Sequence, residues 1–126
     1  MKISIDFDGT LWHHMKFFRE FMWAMTHRGH QVGILTGHSL EIKEKDIALM
    51  IARGFPHPDF YVGRAPESPT SSSNFKLEMI SHHNIDIHFD DFDFDDPETT
   101  QVFNSSWLRQ KIIKVPWKVP KDSSFE

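Results

Sequence analysis

The sequence predicts an α/β fold: one doubly wound, Rossmann-like domain with about five parallel strands and helices on both faces. Three observations carry this. Short apolar runs alternate with segments of helical periodicity, the signature of strands joined by crossover helices. The first apolar run, Ile3-Ser4-Ile5, alternates poorly, as a strand covered on both faces does. At 126 residues the chain is the size of one domain with a core of its own, and no internal repeat or composition shift divides it.

The elements follow in order. A strand over Lys2 to Asp6 delivers two carboxylates, Asp6 and Asp8, and then Gly9, which permits a sharp turn. Two acids one residue apart repel each other, and a bound cation would relieve that repulsion. A helix is expected from Met15 to His27, because Phe18, Phe21, Met22 and Met25 fall on one helical face, with Gly29 as its stop. The second strand is Gln31 to Leu35, followed by Thr36-Gly37-His38. Ser39 is an N-cap for a helix from Leu40 to Arg53, with Leu40, Ile47, Met50 and Ile51 as its buried face. After Pro56 and Pro58, a third strand runs from Asp59 to Val62. The polar stretch Gly63 to Asn74 is a long loop that would lie beside the site as a lid or a plain connection.

Asn74 caps a helix from Phe75 to His83, and Asn84 supplies a left-handed stop. The fourth strand, Ile85 to Phe89, ends at Asp90-Asp91. In the acidic segment beyond it, Asp96-Pro97 marks the start of a short helix to about Phe103. The fifth strand is Lys111 to Val115, and a loose tail follows from Trp117, leaving a core of about 1–116 and a tail of 117–126.

Composition narrows the function classes. The chain has no cysteine, so disulfides and thiolate zinc sites are excluded, in keeping with a reducing, cytoplasmic setting. The acids at Asp6 and Asp8 interrupt any signal-peptide core, and no apolar run reaches membrane-spanning length. A net charge of −4 does not indicate a nucleic-acid surface, although Arg64, Lys76 and Arg109 would suit a local basic patch.

In a parallel sheet the functional crevice lies beyond the carboxyl ends of the strands. Asp6 and Asp8 follow strand one, Thr36 strand two, and Asp90 and Asp91 strand four, while Lys76 opens the helix leading into strand four. This set resembles the haloacid dehalogenase-like (HAD) phosphohydrolase superfamily. Asp6-Phe7-Asp8-Gly9-Thr10 matches its first motif, Thr36 the second, Lys76 the third, and Asp90-Asp91 the paired-acid form of the fourth. The resemblance covers Lys2 to about Val115.

It implies a Mg²⁺-dependent phosphatase acting through a phospho-aspartate. Asp6 would be the nucleophile and Asp8 the acid that protonates the leaving group and later activates water. Thr36 would donate to a phosphoryl oxygen, and Lys76 would balance the charge of phosphate and nucleophile. The metal would be held by Asp6, the backbone carbonyl of Asp8, Asp90 and Asp91, with either acid of the last pair as the direct ligand. Gly37, His38, Trp12, His13 and Arg64 are candidate substrate contacts.

The intervals between motifs leave no room for a folded cap, which implies a capless member with an open site. Its partners would be phosphorylated substrates, small or macromolecular, including nucleotides and nucleic-acid ends. The competing reading is a catalytically silent binding or regulatory protein on the same fold. A phospho-accepting receiver domain fits poorly, because strand three ends in Val62-Gly63 with no acid and the lysine precedes strand four.

Overall fold

The computed structural model describes residues 1–65, 72–92, 108 and 110–116. Five strands form one sheet: β1 (Lys2–Ile5), β2 (Gln31–Ser39), β3 (Tyr61–Arg64), β4 (Ile87–Asp90) and β5 (Ile112–Lys114). Their spatial order is β3-β2-β1-β4-β5, and every pairing is parallel. The helices are α1 (Met15–His27), α2 (Lys43–Ala52) and α3 (Ser72–His82). The α/β fold read from the sequence is therefore the fold observed.

Strand parity decides what each face buries. Ile3 and Ile5 of β1 and Val32 and Ile34 of β2 join Met15, Phe18 and Met22 of α1 and Ile47 and Met50 of α2 in one core. Leu35, one residue out of phase with Ile34, packs on the opposite side with Leu77 and Ile80 of α3 and Ile85. Helices thus cover both faces. Phe18 is fully buried and meets Phe89 edge to face at 5.4 Å, so truncating it to Ala would cost about 3–5 kcal/mol.

The helix between β1 and β2 has the bounds expected from its aromatic stripe, Met15–His27. Asn84 takes the left-handed conformation, with φ 54°, and stops the chain after α3. Other boundaries shift. Strand β2 continues through Thr36 and His38 to Ser39, and its pairing with β3 changes register between Leu35 and Ser39. Ser39 does cap a helix, accepting from the Glu41 amide, but the first turn is a 3₁₀ turn (Leu40–Ile42) that precedes α2.

On α2 the buried residues are Asp46, Ile47 and Met50; Leu40 and Ile51 are exposed, contrary to the expected apolar face. Helix α3 begins three residues earlier than Asn74 capping would place it, which puts Lys76 inside it. The lid question (66–71), the helix expected after Pro97 and the tail (117–126) fall outside the described residues.

The topology has one switch point. From β1 the chain winds outward through β2 to β3, then returns to the other side of β1 as β4. A crevice opens where the connections diverge, beyond the carboxyl ends of β1 and β4.

Candidate functional site

Asp6 and Asp90 stand at that crevice, one at the end of each diverging strand. Ser4 pairs in register with His88, and Asp6 and Asp90 lie two residues farther along, so strand parity turns all four toward the α3 face. Lys76, buried on α3, reaches them from that side. Its Nζ donates to Asp6 Oδ1 at 3.0 Å and to Asp90 Oδ2 at 2.9 Å.

Behind this ion triplet lies a second layer. His88 Nε2 meets Asp90 Oδ2 at 2.9 Å, and its Nδ1 shares a hydrogen bond with the Ser4 hydroxyl at 2.7 Å. Burial pulls His88 below its ordinary value, against the pull of the neighbouring Asp90 carboxylate. Asp90 Oδ1 accepts from the Phe92 amide at 3.0 Å. Burial works against ionisation of Asp90, but His88 and Lys76 outweigh it and hold the carboxyl well below the usual range.

The turn after β1 presents the remaining groups. Asp6 is extended, and the Leu11 amide donates back to its carbonyl at 3.2 Å, closing one wide turn over Phe7–Leu11. Inside that turn Gly9 has φ +74°, and a Cβ there would sit 2.5 Å from Asp91 Oδ2. The fourth position of the motif therefore needs glycine for its backbone and for its missing side chain.

Thr10, fully buried, accepts from the Asp91 amide at 3.0 Å. Its single hydroxyl proton lies between Asp6 Oδ2 (3.4 Å) and Asp91 Oδ1 (3.3 Å). Thr10 so ties the β1 turn to the end of β4.

Asp6, Asp90 and Asp91 offer oxygens that all lie within 4.8 Å of one another. An all-oxygen donor set of this kind suits Mg²⁺. The charge balance points the same way. With all three carboxylates ionised, one ammonium leaves two negative charges unbalanced, which a divalent cation would offset. Burial and the facing Asp90 push the Asp6 carboxyl up to about 7, with Lys76 pulling the other way. Burial and Asp90 also raise Asp91.

Asp8 behaves differently from the other acids. Its carboxylate is exposed and turned away from the three-acid cluster toward His38, whose Nε2 makes a close contact with Asp8 Oδ2. His38 Nδ1 meets Asp46 Oδ2 at 2.9 Å, and the Tyr61 hydroxyl donates to that same oxygen at 2.6 Å. Burial opposes protonation of His38, but its bonds to Asp46 and Asp8 outweigh this and raise it above the ordinary histidine value.

One open pocket is lined by Asp6, Asp8, Thr36, Gly37, His38, Lys76, Asp90, Asp91 and Phe92. Thr36 is buried and accepts from the His38 amide at 3.1 Å. Trp12, His13 and Arg64 do not line this pocket. Trp12 packs edge-on against Phe7 at 5.1 Å and Phe55 at 5.8 Å, as a rim of the core. His13 sits half-buried ahead of α1, and Arg64 ends β3 in register with Ser39. Lys76 is committed to two buried acids and is no part of a surface basic patch; Arg109 falls outside the described residues.

Sequence reasoning missed Asp46, Tyr61, His88 and Ser4. His88 and Ser4 were legible only through the parity of neighbouring strands, and Asp46 only through its place beside Ile47 and Met50 on the buried side of α2. Among the described residues, no helix is long and apolar enough to cross a membrane. No family model, curated protein or solved structure matches the chain.

Proposed function

We propose that this chain is a Mg²⁺-dependent phosphomonoesterase that works through a phospho-Asp6 intermediate. The observation that carries the reading is the cluster itself: three convergent carboxylates and one buried ammonium at the switch point, in a pocket that also holds Thr36 and Asp8. Phosphoryl transfer asks for a placed nucleophile, charge neutralisation around the phosphoryl oxygens and a proton for the leaving group. The motif resemblance assigns these parts to the same residues.

Asp6 supplies the attacking oxygen. As its bond to phosphorus forms, the ester P–O bond breaks and the leaving oxygen takes the proton of the Asp8 carboxyl. In the second half Asp8, now a carboxylate, takes a proton from water. The water oxygen attacks phosphorus, the P–O bond to Asp6 breaks, and phosphate leaves. Lys76 and the Thr36 hydroxyl, which accepts one bond and keeps its own proton to donate, hold the phosphoryl oxygens. Mg²⁺ would be held by Asp6, Asp90 and Asp91 and would neutralise charge on the phosphoryl group.

The test is phosphate release from p-nitrophenyl phosphate, nucleoside monophosphates, sugar phosphates and end-phosphorylated oligonucleotides, with Mg²⁺ or EDTA. Mg²⁺-dependent release that disappears in Asp6→Asn is expected. A folded wild-type protein that binds Mg²⁺ but releases phosphate from none of them would overturn the reading in favour of a silent binding protein.

A further inference from the structure

The buried acid on α2 has no part in the scheme above. Outside the Asp6–Lys76–Asp90 triplet, Asp46 is the one buried carboxylate or ammonium among the described residues. Among the described residues its ion pair is with His38 alone. A carboxylate is costly to bury unless its hydrogen bonds are met. Here one oxygen takes two short ones, from Tyr61 on β3 and from His38 at the irregular end of β2. The chain of contacts then runs outward from the core: Tyr61 to Asp46, Asp46 to His38, His38 to the exposed Asp8.

We propose that Asp46 and Tyr61, acting through His38, are positioning residues that hold Asp8 for proton transfer to the leaving group. This rests on the phosphatase reading, and it adds the residues that make Asp8 competent.

Three features support it. First, Asp8 is 71% exposed and would otherwise sample several rotamers, whereas a general acid must stay within hydrogen-bond reach of the leaving oxygen. Second, the ring of His38 is itself fixed. It meets Phe7 edge-on at 5.4 Å, and Asp46 captures Nδ1, which leaves Nε2 directed at Asp8. Third, His38 takes only Oδ2 of Asp8, so Oδ1 remains to give its proton to the leaving oxygen and later to receive one from water. A network that served the core alone would have no need to end on an exposed carboxylate in the pocket.

The experiment compares kcat and KM for p-nitrophenyl phosphate, whose leaving group needs little help, with those for an alkyl phosphate, whose leaving group needs a proton. The variants are Asp8→Asn, Asp46→Asn, Tyr61→Phe, His38→Ala and His38→Gln, with the double variant Asp8→Asn/Asp46→Asn, each checked for folding by circular dichroism. For Asp46→Asn and His38→Ala, kcat on the alkyl ester is expected to fall about tenfold or more, with a much smaller loss on p-nitrophenyl phosphate and little change in KM. Asp46→Asn should add nothing in the Asp8→Asn background. His38→Gln, which keeps an amide donor for Asp8, should recover part of the alkyl-ester rate.

Equal losses on both esters, or losses from Asp8→Asn and Asp46→Asn that multiply, would overturn the proposal while leaving the phosphatase reading intact. A wild type without Mg²⁺-dependent turnover would overturn both. If Asp46→Asn fails to fold, Tyr61→Phe and His38→Gln carry the same comparison, because neither removes the buried acid.

Discussion

Replacing the nucleophile should spare the metal-free protein a loss of stability on going from acid to alkaline pH. Burial and the charge of Asp90 raise Asp6 from the ordinary value of 3.8 to about 7 in the folded state. A folded value above the unfolded one means that the native state holds this proton more tightly. The stability it supplies is complete below the unfolded value and is lost as pH rises through about 7. At about 1.4 kcal/mol for each tenfold change in proton affinity, that interval corresponds to roughly 4 kcal/mol at most.

The value near 7 already includes the opposing pull of Lys76, and the part of the loss that falls between pH 5 and about 7 is about 3 kcal/mol. Asn at position 6 carries no charge at any pH. In EDTA, wild type should therefore lose about 3 kcal/mol relative to Asp6→Asn between pH 5 and pH 8. Urea unfolding across that range measures this directly. The difference between the two proteins removes the contributions of Asp91 and His38, which also titrate upward. Mg²⁺ should narrow or reverse that loss, since wild type has the better binding cluster. Parallel pH profiles for the two proteins in EDTA would refute the reasoning.

Two further outcomes follow from the same geometry. Lys76→Met leaves Asp6 and Asp90 facing each other without their ammonium, and in EDTA it should cost about 3–5 kcal/mol by urea unfolding, with part of the loss restored by Mg²⁺. Gly9→Ala places a methyl against Asp91 at a backbone angle of +74°; it should destabilise the fold by about 1–2 kcal/mol and weaken Mg²⁺ binding in titration calorimetry. Unchanged calorimetric binding in Gly9→Ala would remove Asp91 from the ligand set.

Much of the fold was legible because its signals are periodic. The stripe of Phe18, Met22 and their neighbours bounds α1, and the apolar runs Ile3–Ile5 and Val32–Leu35 lie in the central strand β1 and its neighbour β2. Asp6, Thr36, Lys76, Asp90 and Asp91 were legible as a group through a topological rule, since each follows or leads into a strand, and all five line one pocket.

What escaped has no period. The wide turn over Phe7–Leu11 depends on one bond from Leu11 to Asp6, and it is this turn that carries the Asp8 side chain away from Asp6. The register shift that lets β2 run on past Thr36 leaves no mark in the sequence. Asp46 follows Lys43-Glu44-Lys45, a setting that reads as a solvated helix face. Its partner Tyr61 lies 15 residues away on β3, and only the packing of α2 against that strand brings them together.

The pairing of β1 with β4 has a kinetic side. Ile3 lies opposite Ile87 and Ser4 opposite His88, contacts between distant parts of the chain, whereas β1 finds β2 across a single helix. Loop closure favours the nearer pairing first. The three acids then meet only when β4 docks, so a half-formed sheet is spared their mutual repulsion and offers no convergent oxygens. A cation that needs all three would have little to grip before the barrier is crossed. Mg²⁺ should therefore slow unfolding far more than it speeds folding, and the finished sheet would be guarded mainly by the slowness of its opening.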